Sequence, residues 1–398
     1  MPNLTLLKSD QSSELPTIVF AGGGTGGHLI PAVALARELE SMAEAAGNPV
    51  RIEFLIPGKK LERTILEDHG MSYTLCGGIS PAGNVVRKAK AALSLYKAYR
   101  SCKNTLKQIK PLAMIGVGGY GSVCGGLAAR SQKVPLYLLE QNTMPGRVNR
   151  LMSRYAEAMF AQWPLVKDVK CPVEVLGNPT RSSLAKLSRS DAQRKLGLNP
   201  ERKTLLVMGG SQGASAINNF VLNNFETLDE RSRRVQVIHL TGEPHFDSAN
   251  TAWAMRIVNN LVLPYVGDMS AVLAASDLVL CRAGATTIAE LTSLGKPMVL
   301  VPLPSAAEDH QRLNAEYVQS FGAADVYEQS KLDSPDVMRE LLDEILLDDR
   351  TRASMALRSL TLGKVNAGAS IASRVLSGIG LQVTPQAVES MDETRRAA

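Results

Sequence analysis

Residues 21 to 32, Ala-Gly-Gly-Gly-Thr-Gly-Gly-His-Leu-Ile-Pro-Ala, place five glycines, a hydroxyl and an imidazole in one short stretch. Glycine removes the Cβ that would keep a bulky oxyanion from the backbone. A helix beginning here directs unpaired N–H groups and partial positive charge at the same spot. Gly23, Gly24, Thr25, Gly26 and Gly27 therefore read as an anion cradle with the His28 imidazole beside it. A tight turn alone needs only one or two glycines. Gly22, Gly24 and Gly27 also satisfy the dinucleotide pattern GxGxxG, which by itself is weak. Two later turns repeat the theme, Gly118-Gly119-Tyr120-Gly121 and Gly209-Gly210-Ser211-Gln212-Gly213.

The elements that must position these turns follow from periodicity. Residues 17–20 are a β-branched apolar run and 32–46 carry apolar residues at helical spacing, so the first cradle is a strand-to-helix turn. Pro31 suits the first turn of that helix. Further strands are expected at 51–56, 72–75, 112–117 and 135–139, with helices at 59–67 and 84–109 and after the turn at 118. The pattern restarts with a strand at 203–208, the second phosphate-type turn and a helix at 214–224. Strands at 235–240, 261–263, 278–281, 297–301 and 324–327 follow. This alternation predicts an α/β protein of two Rossmann-like, doubly wound parallel-sheet domains facing across a cleft, with a hinge at Gly177-Asn178-Pro179.

Composition bounds the partners. The 398 residues are 45% hydrophobic and 21% charged, ordinary for a soluble globular protein of two domains. Lys8, Asp10 and Glu14 argue against a secretory signal, and glycines interrupt the uncharged stretch 111–129, so no bilayer span is expected. The five cysteines are scattered without CxxC spacing, which indicates neither a disulfide framework nor a zinc site and fits a reducing cytosol. Net charge is only +6, yet no acidic side chain occurs from His69 to Leu139, while Arg87, Lys88, Lys90, Lys97, Arg100 and Lys103 do. One face of the first half is therefore electropositive. No nucleic-acid partner is expected.

The motifs GGGTGGHLIPA, GVGGYGS, EQNTMPGRVNR, GNPTR, GGSQGA, CRAGATTIAEL and DHQRLNA, in this order and spacing, resemble the MurG family, bacterial N-acetylglucosaminyltransferases of peptidoglycan synthesis. The resemblance covers about residues 17 to 380. It implies a GT-B fold and inverting transfer of N-acetylglucosamine from UDP-GlcNAc to the C4 hydroxyl of undecaprenyl-diphosphate-linked MurNAc-pentapeptide. An acceptor and membrane-facing domain would occupy residues 1–178, completed by a helix near 366–382. A UDP-GlcNAc-binding domain would occupy 179–365, and 383–398 would form a polar tail.

By the same resemblance, Glu290 would bind the ribose hydroxyls, a task suited to a carboxylate's two oxygens. Gly284, Ala285, Thr286 and Thr287 would present the diphosphate with a helix start, joined by Ser211, Gln212, Gly213 and the fixed cation of Arg181, and Ile288 and Ala289 would also belong to the donor site. Val266 would contact uracil, and Asp309 and Gln311 the sugar. Asn142 and Thr25 to Gly27 would reach the donor from the opposite domain. Gly23, Gly24, Gly118, Gly119 and Tyr120 would hold the acceptor diphosphate. His28 is the candidate base, or else a substrate-binding imidazole, and Glu140 is the competing base. No DxD-like clamp is evident, so no metal and no obligatory cofactor are expected. Ile79, Val85, Val86, Arg87, Lys88, Lys90 and Leu93 would meet the anionic cytoplasmic face of the plasma membrane, where the acceptor's lipid is anchored.

The chain departs from the family at Leu139, where a His is usual, and at Cys124, where a Pro is usual. Other readings are a lipid glycosyltransferase or UDP-GlcNAc epimerase of the same fold, or a non-catalytic UDP-sugar-binding relative. A nicotinamide or flavin dehydrogenase would need an acidic residue ending the second strand, which instead runs into Ile56-Pro57-Gly58-Lys59.

Overall fold

The computed structural model describes residues 15–77, 85–180, 187–210, 212–225, 233–256 and 258–381, and for 85–91 the backbone alone. The first half runs β1 (Thr17–Ala21), α1 (Gly26–Ala45), β2 (Arg51–Ile56), α2 (Lys60–Asp68), β3 (Tyr73–Leu75), α3 (Val85–Ile109), β4 (Ala113–Gly116), α4 (Gly119–Ser131), β5 (Leu136–Glu140), α5 (Arg147–Met152), β6 (Ala158–Ala161) and β7 (Val173–Val175). Its strands form one parallel sheet ordered β3-β2-β1-β4-β5-β6-β7. β1 pairs Ile18 with Ile52 on one side and with Ala113 on the other. Strands buried on both faces by helices read as continuous apolar runs, as Ile18-Val19-Phe20 does.

The second half runs α6 (Arg189–Lys195), β8 (Lys203–Met208), α7 (Ser215–Asn224), β9 (Val235–Leu240), α8 (Phe246–Ala254), β10 (Asn259–Leu263), α9 (Ser270–Ala275), β11 (Leu278–Cys281), α10 (Ala285–Ser293), β12 (Met298–Leu300), α11 (His310–Ser320), β13 (Ala324–Val326), α12 (Pro335–Glu340), α13 (Asp349–Leu362) and α14 (Ala367–Gly378). Its parallel sheet is ordered β10-β9-β8-β11-β12-β13. Both sheets thus reverse their strand order once, between β1 and β4 and between β8 and β11, and such a reversal opens a crevice at the carboxyl ends of the strands.

The chain finally returns to the first sheet. Ile371, Ala372, Val375 and Leu376 of α14 lie in one core with Ile18, Leu29, Leu35 and Phe160, and Arg374 forks onto Glu174 (2.8 and 2.7 Å). Two strands were not expected from the sequence. β6, Ala-Met-Phe-Ala, carries no β-branched residue, and β7 is a three-residue strand at the sheet edge with Val173 and Val175 exposed. α1 also begins earlier than expected, so Pro31 lies inside the helix and not in its first turn.

Candidate active site

At the first strand-order reversal, the turns after β1 and β4 lie against each other. Gly23 N donates to Gly118 O (3.4 Å), and the Ser122 hydroxyl lies 2.7 Å from Ala21 O and 2.8 Å from Gly118 O. Gly119 holds φ 73°, and any Cβ there would collide with the Gly23 carbonyl. The turns pack only because these positions carry no side chain.

One carboxylate changes the reading of the cradle. Buried Glu62, at the start of α2, accepts from Gly24 N (2.7 Å) with one oxygen and from Gly58 N and Lys59 N (2.9 and 2.8 Å) with the other. The expectation that Gly23 and Gly24 offer free amides to a substrate diphosphate is therefore corrected. The first donates to Gly118 O, and the second is taken by a charge of the same sign as the ligand. The amides of Thr25, Gly26 and Gly27 have no partner among the described residues, nor do those of Gly119 and Tyr120. They remain the exposed start of α1 and α4.

Thr25 occupies the N-cap position of α1, yet its hydroxyl lies 3.1 Å from Nδ1 of His28 instead of capping the helix. Burial pushes the His28 pKa down to about 4, helped by the nearby His310 of the second half and opposed by a hydrogen bond to the Gly23 backbone. The ring is neutral at neutral pH.

Glu140, the competing candidate base, accepts four hydrogen bonds from its own turn. Its Oε1 accepts from Asn142 N (3.0 Å) and Asn142 Nδ2 (3.3 Å), and its Oε2 from Gly146 N (2.8 Å) and Asn149 Nδ2 (2.9 Å). Burial raises its pKa against the pull of those bonds. A carboxylate with both oxygens engaged and almost no exposure is a poor proton acceptor for a substrate. It keys the 140–149 turn.

The second reversal carries a cavity of about 510 Å³, lined by Gly209, Gly210, Gly213, Gly284, Thr287 and Gln311, among others. Gly213 (φ 74°) sits where any Cβ would strike the Thr241 carbonyl, so the turn before α7 closes on β9. α7 and α10 both start at this cavity. Arg282, missed in the sequence although it stands in CRAGATTIAEL, lines the same wall and donates to Gln329 Oε1 (2.7 Å) and Val301 O (3.2 Å). Gln311 Oε1 accepts from Leu303 N (3.0 Å). Asp309 pairs with Arg312, Val266 is half-buried, and Glu290 is buried on α10 without lining the cavity. Among the described residues, no group of three or more His, Cys, Asp or Glu could hold a metal ion.

The two halves meet through side chains the sequence did not reveal as a set. Asn314 of α11 accepts from Thr143 N (3.0 Å) and donates to Asn142 Oδ1 (3.1 Å). Arg150 of α5 donates to Glu308 (2.7 Å). Thr286 Oγ1 donates to Gly27 O (3.0 Å), which brings the starts of α1 and α10 together. Arg181, Ser211 and Ile79 lie outside the described residues, as do the side chains of Val85, Val86, Arg87, Lys88 and Lys90. Leu93 and Tyr96 on α3 are exposed, and no helix among the described residues is long and apolar enough to cross a membrane.

This architecture matches known proteins along nearly its whole length. Residues 18–161 match the Glycosyltransferase family 28 N-terminal domain and 204–375 the Glycosyltransferase family 28 C-terminal domain. A Bacillus licheniformis protein named UDP-N-acetylglucosamine--N-acetylmuramyl-(pentapeptide) pyrophosphoryl-undecaprenol N-acetylglucosamine transferase is 36% identical over 360 residues, 87% of this chain and 94% of that protein. A Xanthomonas campestris protein of the same name is 37% identical over 373 residues, 93% of this chain and 83% of its own. The crystal structure of Acinetobacter baumannii MurG superposes with a TM-score of 0.74 at 28% identity, covering 91% of this chain and 99% of that one. A Staphylococcus aureus MnaA-UDP structure, at 18% identity and a TM-score of 0.65 over 93% and 98% of the two chains, shares the fold. With its two family-28 domains, GT-B architecture and full-length relatives, the chain belongs to the MurG family of N-acetylglucosamine transferases.

Proposed function

We propose that the chain moves N-acetylglucosamine from UDP-GlcNAc to the C4 hydroxyl of undecaprenyl-diphosphate-linked MurNAc-pentapeptide, inverting the anomeric centre. The observation that carries this reading is the pair of strand-order reversals, one with a cavity and one with two open helix starts, joined where Thr286 meets Gly27. Residues 1–178 with α14 would serve the acceptor, and 179–365 the donor.

In the donor cavity, amides at the starts of α7 and α10 would meet the diphosphate, with Gln212, Gly213 and Gly284 to Thr287 nearest and Ser211 and Arg181 adding to them. Glu290 would take the ribose, the backbone near Val266 the uracil, and Asp309 and Gln311 the sugar. Charge developing on departing UDP would be offset by these fixed dipoles and cations. This route invokes no bound ion. Gly119 and Tyr120 would hold the acceptor diphosphate, a smaller set than the glycines suggested, and Thr25, Gly26 and Gly27 would reach the donor across the cleft.

His28 stands beside both helix starts as a neutral imidazole, the form that accepts a proton. A pKa near 4 makes it a weak base, so its contribution would be to polarise the acceptor hydroxyl or bind the sugar. The acceptor's lipid would keep the enzyme on the cytoplasmic face of the plasma membrane, with the basic start of α3 and the loop containing Ile79 against anionic headgroups.

A single-turnover assay with UDP-GlcNAc and a soluble, short-chain muramyl diphosphate acceptor tests the reading. Transfer to that acceptor supports it. Binding of UDP-GlcNAc with no transfer would instead favour a non-catalytic sugar-nucleotide-binding protein.

A further inference from the structure

The turn leading into α11 is held in a costly shape. Glu308 and Asp309 both lie in the left-handed region (φ 52° and 57°), which residues with side chains keep only where surroundings enforce it. The surroundings here come from the other half of the molecule. The Glu308 carboxylate is held by Arg150 (2.7 Å) and more loosely by Arg147 (3.6 Å), both on α5. The Arg150 and Glu308 side chains are 20% and 25% exposed, so water screens this pair only partly.

A second anchor lies just beyond. Asn314, fully buried, is tied to Asn142 and Thr143. Between the two anchors sits Gln311, with its amide oxygen on Leu303 N and its side chain on the cavity wall. The 142–150 segment supplying both anchors is itself keyed by the four hydrogen bonds to Glu140. A continuous set of contacts therefore runs from the buried carboxylate that ends β5 to the residue facing the donor cavity.

We propose that Arg150 is a positioning residue for the donor sugar: by clamping Glu308 it holds the 308–311 turn in its left-handed form and so aims Gln311 at the sugar of a bound nucleotide sugar. This rests on the reading of the cavity as the UDP-GlcNAc site. The expected contacts to uracil, ribose and diphosphate, on α7, α10, Val266 and Glu290, do not pass through that turn. Loss of the clamp should accordingly weaken binding of the sugar nucleotide and spare binding of UDP.

Titration calorimetry of the full chain with UDP-GlcNAc and with UDP separates these effects. Arg150→Gln and Glu308→Gln should each raise the Kd for UDP-GlcNAc by about tenfold and change that for UDP by less than about twofold. The exchanged pair Arg150→Glu with Glu308→Arg should recover most of the loss. Equal weakening of both ligands, or none of either, overturns the clamp. Should Arg150→Gln fail to fold, Glu308→Gln, on the outer side of the pair, carries the same comparison. If the wild-type protein binds UDP but not UDP-GlcNAc, the donor reading itself falls, an outcome distinct from failure of the clamp.

Discussion

Thr286 Oγ1 of the second domain donates to the Gly27 carbonyl of the first at 3.0 Å, and that carbonyl is the one Pro31 leaves unpaired. Proline has no N–H to return to the residue four positions earlier, so a break inside α1 becomes an acceptor for the opposite domain. Thr286→Val should cost about 1 kcal/mol of stability, because the carbonyl loses its partner. In a Pro31→Ala background a helical N–H becomes available and the cost should shrink. A double-mutant cycle on urea unfolding reads the coupling, and equal costs in both backgrounds would dismiss it.

His28 sets an unusual pH expectation. Its pKa of about 4 lies below the ordinary value near 6.5, so the imidazole stays neutral as pH falls through neutrality and protonates only in acid. The rate of transfer should be flat between pH 6 and 8 with respect to this group and decline toward about pH 4. His28→Ala should remove that acid limb. A fall in kcat with unchanged acceptor KM assigns polarisation of the acceptor hydroxyl, and a rise in acceptor KM alone assigns binding. A limb near pH 6.5 that vanishes in the variant would contradict the burial-driven shift.

Acid should also loosen the second domain through His239. This buried ring lies 3.0 Å by Nε2 from Asn218 Oδ1 and accepts from Trp253 Nε1 at Nδ1 (2.9 Å), so only the neutral Nε2–H tautomer satisfies both neighbours. Burial holds its pKa at about 4. The unfolded chain takes up a proton near pH 6.5 and the folded chain only near 4, so stability is complete above pH 6.5 and is lost as pH falls to 4. The slope from this group is up to about 1.4 kcal/mol per pH unit. Urea midpoints of His239→Gln should depend less steeply on pH across that window. An unchanged slope would assign the acid sensitivity elsewhere.

The helical pattern of α3 and its acid-free surroundings lead to a membrane test. Reversing Arg87, Lys88 and Lys90 to Glu should release the protein from anionic vesicles, since each basic group near such a surface contributes about 1 kcal/mol of attraction that salt screens. Turnover of membrane-embedded acceptor should slow while a short-chain soluble acceptor is little affected. Unchanged vesicle sedimentation at low salt would move the membrane face elsewhere.

Most strands could be read from the sequence because an apolar run is followed by a glycine turn and then a helix, as after β1, β4 and β8. β6, Ala-Met-Phe-Ala, has no β-branched residue, and β7 is a three-residue edge strand with Val173 and Val175 exposed. The glycine loops were legible as places where backbone comes close, but the sequence could not say to what. Gly24 meets the Glu62 carboxylate from 38 residues away, and Gly119 meets another glycine turn. The four donors that hold Glu140 come from residues two to nine positions further along its own turn, and the sequence alone did not show them converging on it. Contacts between the halves, Arg150 with Glu308 and Asn314 with Thr143, have sequence separations that no local pattern encodes.

The central claim is transfer with inversion to a muramyl hydroxyl, and the product's anomeric configuration tests it most directly. Proton NMR of the disaccharide made from UDP-GlcNAc, whose sugar is α-linked, and a short-chain acceptor should show the large anomeric coupling of a β-linkage to C4. An α-linked product, release of free N-acetylglucosamine, or an epimerised nucleotide sugar in place of the disaccharide would contradict the account.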